Sequence, residues 1–379
     1  KTRLLMNTDF RNFYRENAFW LKPYAAFCLL RDRFGTADTN AWPGYEHIGA
    51  DRVEALTSES ASHFDTVAEV YFTQYHLHRQ LAEAAAYARA LGVALKGDIP
   101  IGVSPCSADV WQSPELFNRD AQAGAPPDDF SENGQNWSMP TYNWPRMAAD
   151  GYQWWRARLR QMGKYFDAVR IDHILGFFRI WEIPTDMLQG LMGRFNPALP
   201  LSADALAAQG LHIRRNVTRF CRPFLRHSML AERFGELTAE IIAAYCVEIA
   251  PAAYTLKPAA DTQLKLLRLP LPRAVVDRGA AAEVAVRRHL MSLCGEVLFF
   301  PDPDRPDHYQ PRINLHKTDS FKALDDRTRD RLWRVYVDFF YRRHDSFWKT
   351  HGLKRLPALC DATGMLICGE DLGMVPDCV

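Results

Sequence analysis

Apolar positions along this chain follow two periods, and their alternation predicts its elements. Leu77, Leu81, Ala84, Ala85, Ala88 and Leu91 fall at i, i+4, i+7, i+8, i+11 and i+14, one helical face, and Gly92 stands where the helix should stop. The next run, Val93 to Ile99, reads as a strand broken by Pro100. Asp150 and Gln153 form a capping box ahead of a second stripe, Tyr152, Trp155, Leu159 and Met162. The segment from Phe166 to Glu182 then opens with β-branched residues and reads as a buried strand bounded by Gly176. Trp333, Val337, Phe340 and Tyr341 mark another helix from about Asp326, closed by Gly352, and a last strand follows at Met365–Cys368. Helix alternating with strand predicts an α/β chain with a parallel sheet.

Three stretches depart from that pattern. Residues 8 to 46 mix aromatics with charges and predict short helices on a rim. Residues 101–144 have no period and are rich in Pro, Gly, Asn and aromatic residues, the profile of a long functional loop. From 186 to 320 the chain is Leu/Ala/Arg-rich, with one helix expected over Leu230 to Cys246, and is split by prolines at 251, 270, 272, 301 and 303. The domain reading is therefore a first part of a catalytic unit over 1–185, a mostly helical insertion over 186–320, and a return to the first unit over 321–379.

Composition narrows the partners. The 379 residues are 47% hydrophobic and 12% aromatic, enough for a large core. Lys and Arg total 46 against 45 for Asp and Glu, so the net charge is +1 and nucleic acid is not an expected partner. The basic runs Arg214-Arg215 and Arg287-Arg288-His289 read as solvated faces. Nothing resembles an 18-residue apolar span, so no membrane partner is expected. Eight cysteines without a CxxC pair argue against zinc and disulfides and for a reducing, cytoplasmic compartment. His76 and His78 point to different helix faces and are not a metal pair.

The candidate chemistry lies at strand ends. Arg170 and Asp172 are two apart on a strand, so they share a face, and an arginine in a poorly solvated place keeps a carboxylate ionised, as a nucleophile requires. A structural ion pair in a core would look the same. Glu370-Asp371 ends a second strand, and carboxylates at the C-terminal ends of strands are what a (β/α)8 barrel predicts. Cys368 and Gly369 give Glu370 the less polar setting, and two carboxylates of unlike environment form the machinery of glycoside chemistry. The same two acids could cap a following helix. Trp137, Tyr142 and Trp144 beside Asp128, Asn133 and Gln135 suit sugar rings, whose faces are apolar and whose rims need hydrogen bonds; an aromatic mini-core would also account for them.

Three motifs in order resemble the amylomaltase family, the 4-alpha-glucanotransferases of glycoside hydrolase family 77. They are Pro126-Pro127-Asp128 through Gly134-Gln135-Asn136-Trp137, Val169-Arg170-Ile171-Asp172-His173 and Cys368-Gly369-Glu370-Asp371-Leu372-Gly373. Phe19-Trp20-Leu21-Lys22-Pro23-Tyr24-Ala25, Leu95 through Gly102 and the long insertion are similar to the subgroup typified by the plant cytosolic disproportionating enzyme and its bacterial relatives. The resemblance covers nearly the whole chain. It implies a (β/α)8 TIM barrel, incomplete in these residues, with Asp172 as nucleophile and Glu370 as acid/base in a retaining double displacement. It further implies that Arg170 holds Asp172 ionised, that His173 bonds the donor sugar, and that Asp128, Gln135, Trp137, Tyr142 and Asp371 also bind substrate. The substrates implied are maltose, maltooligosaccharides and glycogen or another branched alpha-glucan. No metal and no organic cofactor is implied, because the chemistry needs only carboxylates.

Two positions depart from the family pattern: Asp129 where an aromatic is usual, and Ser138 where a glycine is usual. The family's third carboxylate, in a His-Asp motif, is expected past Val379, and the first barrel strand and any starch-binding modules before Lys1, so these residues alone are expected to be inactive. An alpha-glucan hydrolase of the related amylase clan and a non-catalytic glucan-binding protein are the alternatives.

Overall fold

The side chain of Asn7 accepts the N–H of Phe10, and Gly35 ends the turn at φ 68, so Thr8–Phe34 is one helix in place of the short pieces expected. Pro23 lies inside it and has no N–H to donate. The helix continues past it because it buries Phe10, Phe13, Leu21 and Ala25 against Phe64, Val67, Tyr71 and Tyr75 of the helix Phe64–Ala90. The buried face of that second helix is thus not the predicted stripe. Leu77 and Leu81 are exposed and line a cleft of about 880 Å³ together with Phe19, Trp20 and Trp154.

These elements come from a computed structural model that describes residues 7–379 and divides into two compact units. The first unit, residues 1–119, 138–177 and 353–372, holds a parallel sheet of three strands. Ala168–Ile171 is its centre, flanked by Lys96–Ile99 and Leu366–Gly369. Asp167 sets where the pairing starts. Its carboxylate accepts the Leu95 N–H at 2.9 Å and Arg89 Nε at 2.7 Å. Half of the expected capping box is seen, with Asp150 Oδ1 accepting the Gln153 N–H at 3.1 Å although the N-cap position itself is Tyr152 at φ 62, and the helix Gln153–Met162 buries Trp155 and Leu159 completely. That helix approaches the sheet so closely that a Cβ on Gly97 would come within 2.7 Å of Met162 Cε and of the Phe166 ring. The unit is mixed α/β, and among the described residues its strands do not close into a barrel.

The second unit comprises residues 120–137, 178–352 and 373–379. The stretch expected to be one long loop instead forms two strands, Phe117–Ala125 and Gln135–Tyr142, of which residues 120–125 and 135–137 fall in this unit, in a four-stranded sheet with Ile180–Pro184 and Arg194–Asn196. Gly124 passes the carbonyl of Gln135 where a Cβ could not fit. Between 186 and 320, helices share the chain with two three-stranded antiparallel sheets, a less helical make-up than the sequence pattern predicts. The expected helix from Leu230 to Cys246 is split at Gly235, φ 56, into His227–Phe234 and Thr238–Tyr245, and the chain then leaves as the strand Cys246–Ala250. Leu230, Ile241, Leu256, Val275 and Leu290 form the core here.

In the helix Asp326–Tyr341 the buried face is Leu332, Val335, Tyr336, Phe339 and Phe340, whereas Trp333 and Tyr341 are exposed. Gly352 does not end a helix; it lies inside Asp345–Cys360, where the Phe178 ring occupies the space of a Cβ. No helix among the described residues is long and apolar enough to cross a membrane.

The hydrogen bond from Leu95, followed by the ion pair with Arg89, holds the Asp167 carboxyl below its ordinary range. Its contribution to stability is therefore present above the unfolded value of about 3.9 and is lost as pH falls through the lower folded value. Asp167→Asn is expected to lower the melting temperature at neutral pH, with the gap to the parent closing as pH falls below about 4. A gap independent of pH in scanning calorimetry would contradict this account.

Candidate active site

The three parallel strands end level, with Ile99 and Gly369 both in register with Ile171. One position earlier, Arg170 stands between Asp98 and Cys368. Its guanidinium reaches all three strand ends. Nη1 lies 2.6 Å from Asp98 Oδ2, and Nη2 lies 2.8 Å from Asp172 Oδ1 and 3.3 Å from Glu370 Oε2. A planar fork with several donors can serve three carboxylates in this way, and a lysine could not hold the same geometry. The hydrogen bond that Arg170 donates to Asp98 is the main cause raising the arginine's pKa above its ordinary value.

Two expectations change here. The cluster is not poorly solvated, since the side chains of Arg170, Asp98, Asp172 and Glu370 are 32%, 59%, 47% and 30% exposed, which also separates it from a core ion pair. Nor does Arg170 distinguish the two candidate carboxylates, because Nη2 touches both, and Cys368 is in register with the arginine itself. Asp98 was missed by sequence reasoning. The available signal was its place at the C-terminal end of a predicted strand, the same end that carries Asp172 and Glu370.

Beyond Ile171 the chain turns, with His173 at φ 59. Histidine is one of the few residues enriched in this left-handed region. Three successive N–H groups of the turn donate to one dipeptide: His173 to Glu370 Oε2 at 3.2 Å, Ile174 to the Glu370 carbonyl at 2.7 Å, and Leu175 to Asp371 Oδ2 at 2.9 Å. The Glu370 N–H returns to the Ile171 carbonyl at 3.0 Å. Glu370 and Asp371 therefore tie down the start of the short 3-10 helix Ile174–Phe177, which lies far before them in the chain, and not a helix that follows them. Asp371, expected among the substrate contacts, has a side chain only 5% exposed, with His173 Nδ1 3.1 Å from Oδ2 and the Leu372 N–H on Oδ1.

The first unit thus brings Arg170, Asp172, His173, Glu370 and Asp371 together. Tyr142 belongs to the same unit but is buried among Trp144, Trp154 and Trp155 and donates its hydroxyl to the Ile101 carbonyl. Burial raises its phenol pKa, and its setting is that of an aromatic mini-core.

Asp128, Gln135 and Trp137 belong to the second unit. Asp128 Oδ1 accepts the N–H groups of Phe130 and Ser131, shaping an exposed turn, and Gln135 Oε1 accepts Trp137 Nε1 at 3.0 Å. Ser138 has φ 55, a left-handed conformation that explains why a glycine is usual there. Among the described residues no group of three His, Cys, Asp or Glu is arranged to hold a metal ion.

A family profile described as 4-alpha-glucanotransferase matches residues 2–379. The chain is 43% identical over 379 residues to the 4-alpha-glucanotransferase DPE2 of rice (Oryza sativa subsp. japonica), covering 100% of this chain and 40% of the rice protein. It is 38% identical over 192 residues to the 4-alpha-glucanotransferase of Thermus thermophilus, covering 49% of this chain and 38% of that protein. Among solved structures it is similar to an amylomaltase from Streptococcus agalactiae in complex with acarbose, at 29% identity and a TM-score of 0.47, covering 57% of this chain and 44% of that one. The chain spans well under half the length of these relatives.

Asp98→Asn is expected to leave the fold intact, with little change in the urea midpoint because the pair is solvent-exposed. It is expected to lower any activity that depends on where Arg170 points. A variant with unchanged activity would show that Asp98 does not orient the guanidinium.

Proposed function

Because this chain belongs to the 4-alpha-glucanotransferase family, glycoside hydrolase family 77, we propose that its protein transfers glucosyl or maltosyl units between alpha-1,4-glucans by a retaining double displacement. The observation that carries the reading is the shared nitrogen of Arg170. Since Nη2 lies 2.8 Å from one carboxylate and 3.3 Å from the other, those two oxygens are within about 6 Å of each other. Two carboxyls this close can act on one glycosidic bond, and the retaining course is the one the family implies.

In this reading Asp172 attacks the anomeric carbon while Glu370 protonates the departing glycosidic oxygen. Glu370 then takes the proton from the 4-hydroxyl of an incoming glucan, which displaces Asp172 and restores both carboxyls. Arg170, 2.8 Å from Asp172 Oδ1, holds the nucleophile's carboxyl in place. His173 serves the donor sugar, and Asp128, on its exposed turn, together with Gln135 and Trp137, at the start of the strand Gln135–Tyr142, binds glucan. The flat indole face of Trp137 suits a sugar ring, and transfer wins over hydrolysis where an acceptor sugar keeps water from the covalent intermediate. The three parallel strands are taken as part of a (β/α)8 barrel, a reading supported by carboxylates gathered at their C-terminal ends. Maltose is the proposed donor and a branched glucan such as glycogen the acceptor, in a cytoplasmic setting that suits eight free cysteines.

Maltose with glycogen is expected to yield free glucose and longer outer chains in the complete protein. Asp172→Asn is expected to abolish both. Glu370→Gln should slow transfer from maltose by about 10²–10⁴-fold but spare the first step with alpha-maltosyl fluoride, whose leaving group needs no proton. Glucose without chain growth would replace this reading with hydrolysis, and glycogen binding without turnover would replace it with a binding role.

A further inference from the structure

The proposed chemistry gives the buried carboxylate of Asp371 no task, although it lies next to the acid/base in sequence and against the nucleophile's turn in space. We infer that Asp371 is a positioning residue, acting through His173 and the Asp172–Leu175 turn to fix the nucleophile relative to Glu370. The inference rests on the transferase reading for its activity test only.

The hydrogen bonds assign this role. Oδ2 of Asp371 receives the Leu175 N–H at 2.9 Å and lies 3.1 Å from Nδ1 of His173, while Oδ1 receives the Leu372 N–H at 2.9 Å. A carboxylate is acceptor-only and can satisfy three donors at once; an amide in the same place would turn one NH₂ toward an N–H. Burying a carboxylate is costly unless its oxygens are occupied, and here at least one donor reaches each.

A carboxylate oxygen 3.1 Å from Nδ1 favours the Nδ1–H tautomer of the imidazole. His173 is held at φ 59, a conformation that persists only where its surroundings determine it. The turn's other anchors come from Glu370, so Asp371 completes a set in which nucleophile loop and acid/base strand locate each other. A carboxylate shielded in this way, at 5% exposure, is not placed to meet a sugar.

The test uses Asp371→Asn, His173→Gln and the double variant in the complete protein, with transfer from maltose to glycogen and the melting temperature measured for each. Asp371→Asn is expected to lower kcat by about 10²-fold, the usual consequence of displacing a reacting group by about 1 Å, with little change in KM. The same change in a His173→Gln background should cost far less, since the two residues act as one unit. Equal losses in both backgrounds, a loss confined to KM, or parent-like kcat would each overturn the inference.

Should Asp371→Asn fail to fold, His173→Gln alone must still reproduce the kcat loss at an unchanged melting temperature. An arm independent of activity is ¹⁵N NMR of the His173 ring, where the parent should show the proton on Nδ1 and Asp371→Ala should lose that preference. A parent with the proton on Nε2 would refute the positioning role. A parent that shows this Nδ1 signature but transfers no sugar would refute the transferase reading and leave the positioning role standing.

Discussion

A single guanidinium holds the ends of three strands. Arg170 is the only cation contacting Asp98, Asp172 and Glu370 among the described ion pairs, so three carboxylates that would repel one another gather around it. Much of the first unit serves to place that one side chain. Register sets Asp98 beside it, the level ends of the strands bring Asp172 and Glu370 within reach, and the bare backbone of Gly97 lets the helix Gln153–Met162 settle closely on the sheet. Because the cluster is open to solvent, its attraction is screened and adds little to stability. Its value is geometric.

The parts of this site that could be read from the sequence were local ones. Arg170 and Asp172 share a face because they are two apart, and the position of Asp98 in a register four strand residues long is knowable only once the strands pair. The same division runs through the fold. The cap at Asp150 and the buried Trp155 and Leu159 followed from spacing over a few residues. The faces of the long helices did not, since packing chose Phe64, Val67 and Tyr71 over the stripe of leucines further along.

Turn chemistry concealed the rest. A β-hairpin rich in glycine, proline and amides has no clean alternation, so Phe117–Ala125 and Gln135–Tyr142 had the profile of a loop. Gly352 appeared to stop a helix but admits a phenylalanine ring, and Gly235 did break one, at a positive φ that spacing does not reveal. Tyr142 and Asp371 carried the right chemistry for a sugar site, yet each spends its polar atoms inside the protein.

The turn after Asp172 is fastened by the N–H groups of His173, Ile174 and Leu175, and every amino acid but one supplies that donor. The fastening at 174 and 175 therefore places almost no demand on side-chain identity. Descendants of this chain can exchange isoleucine and leucine there for other residues that suit the core while the reacting groups stay in place. Proline alone is forbidden by the hydrogen bonds themselves. An alignment would show this constraint as an absence at two otherwise permissive columns, a mark that conservation scoring passes over.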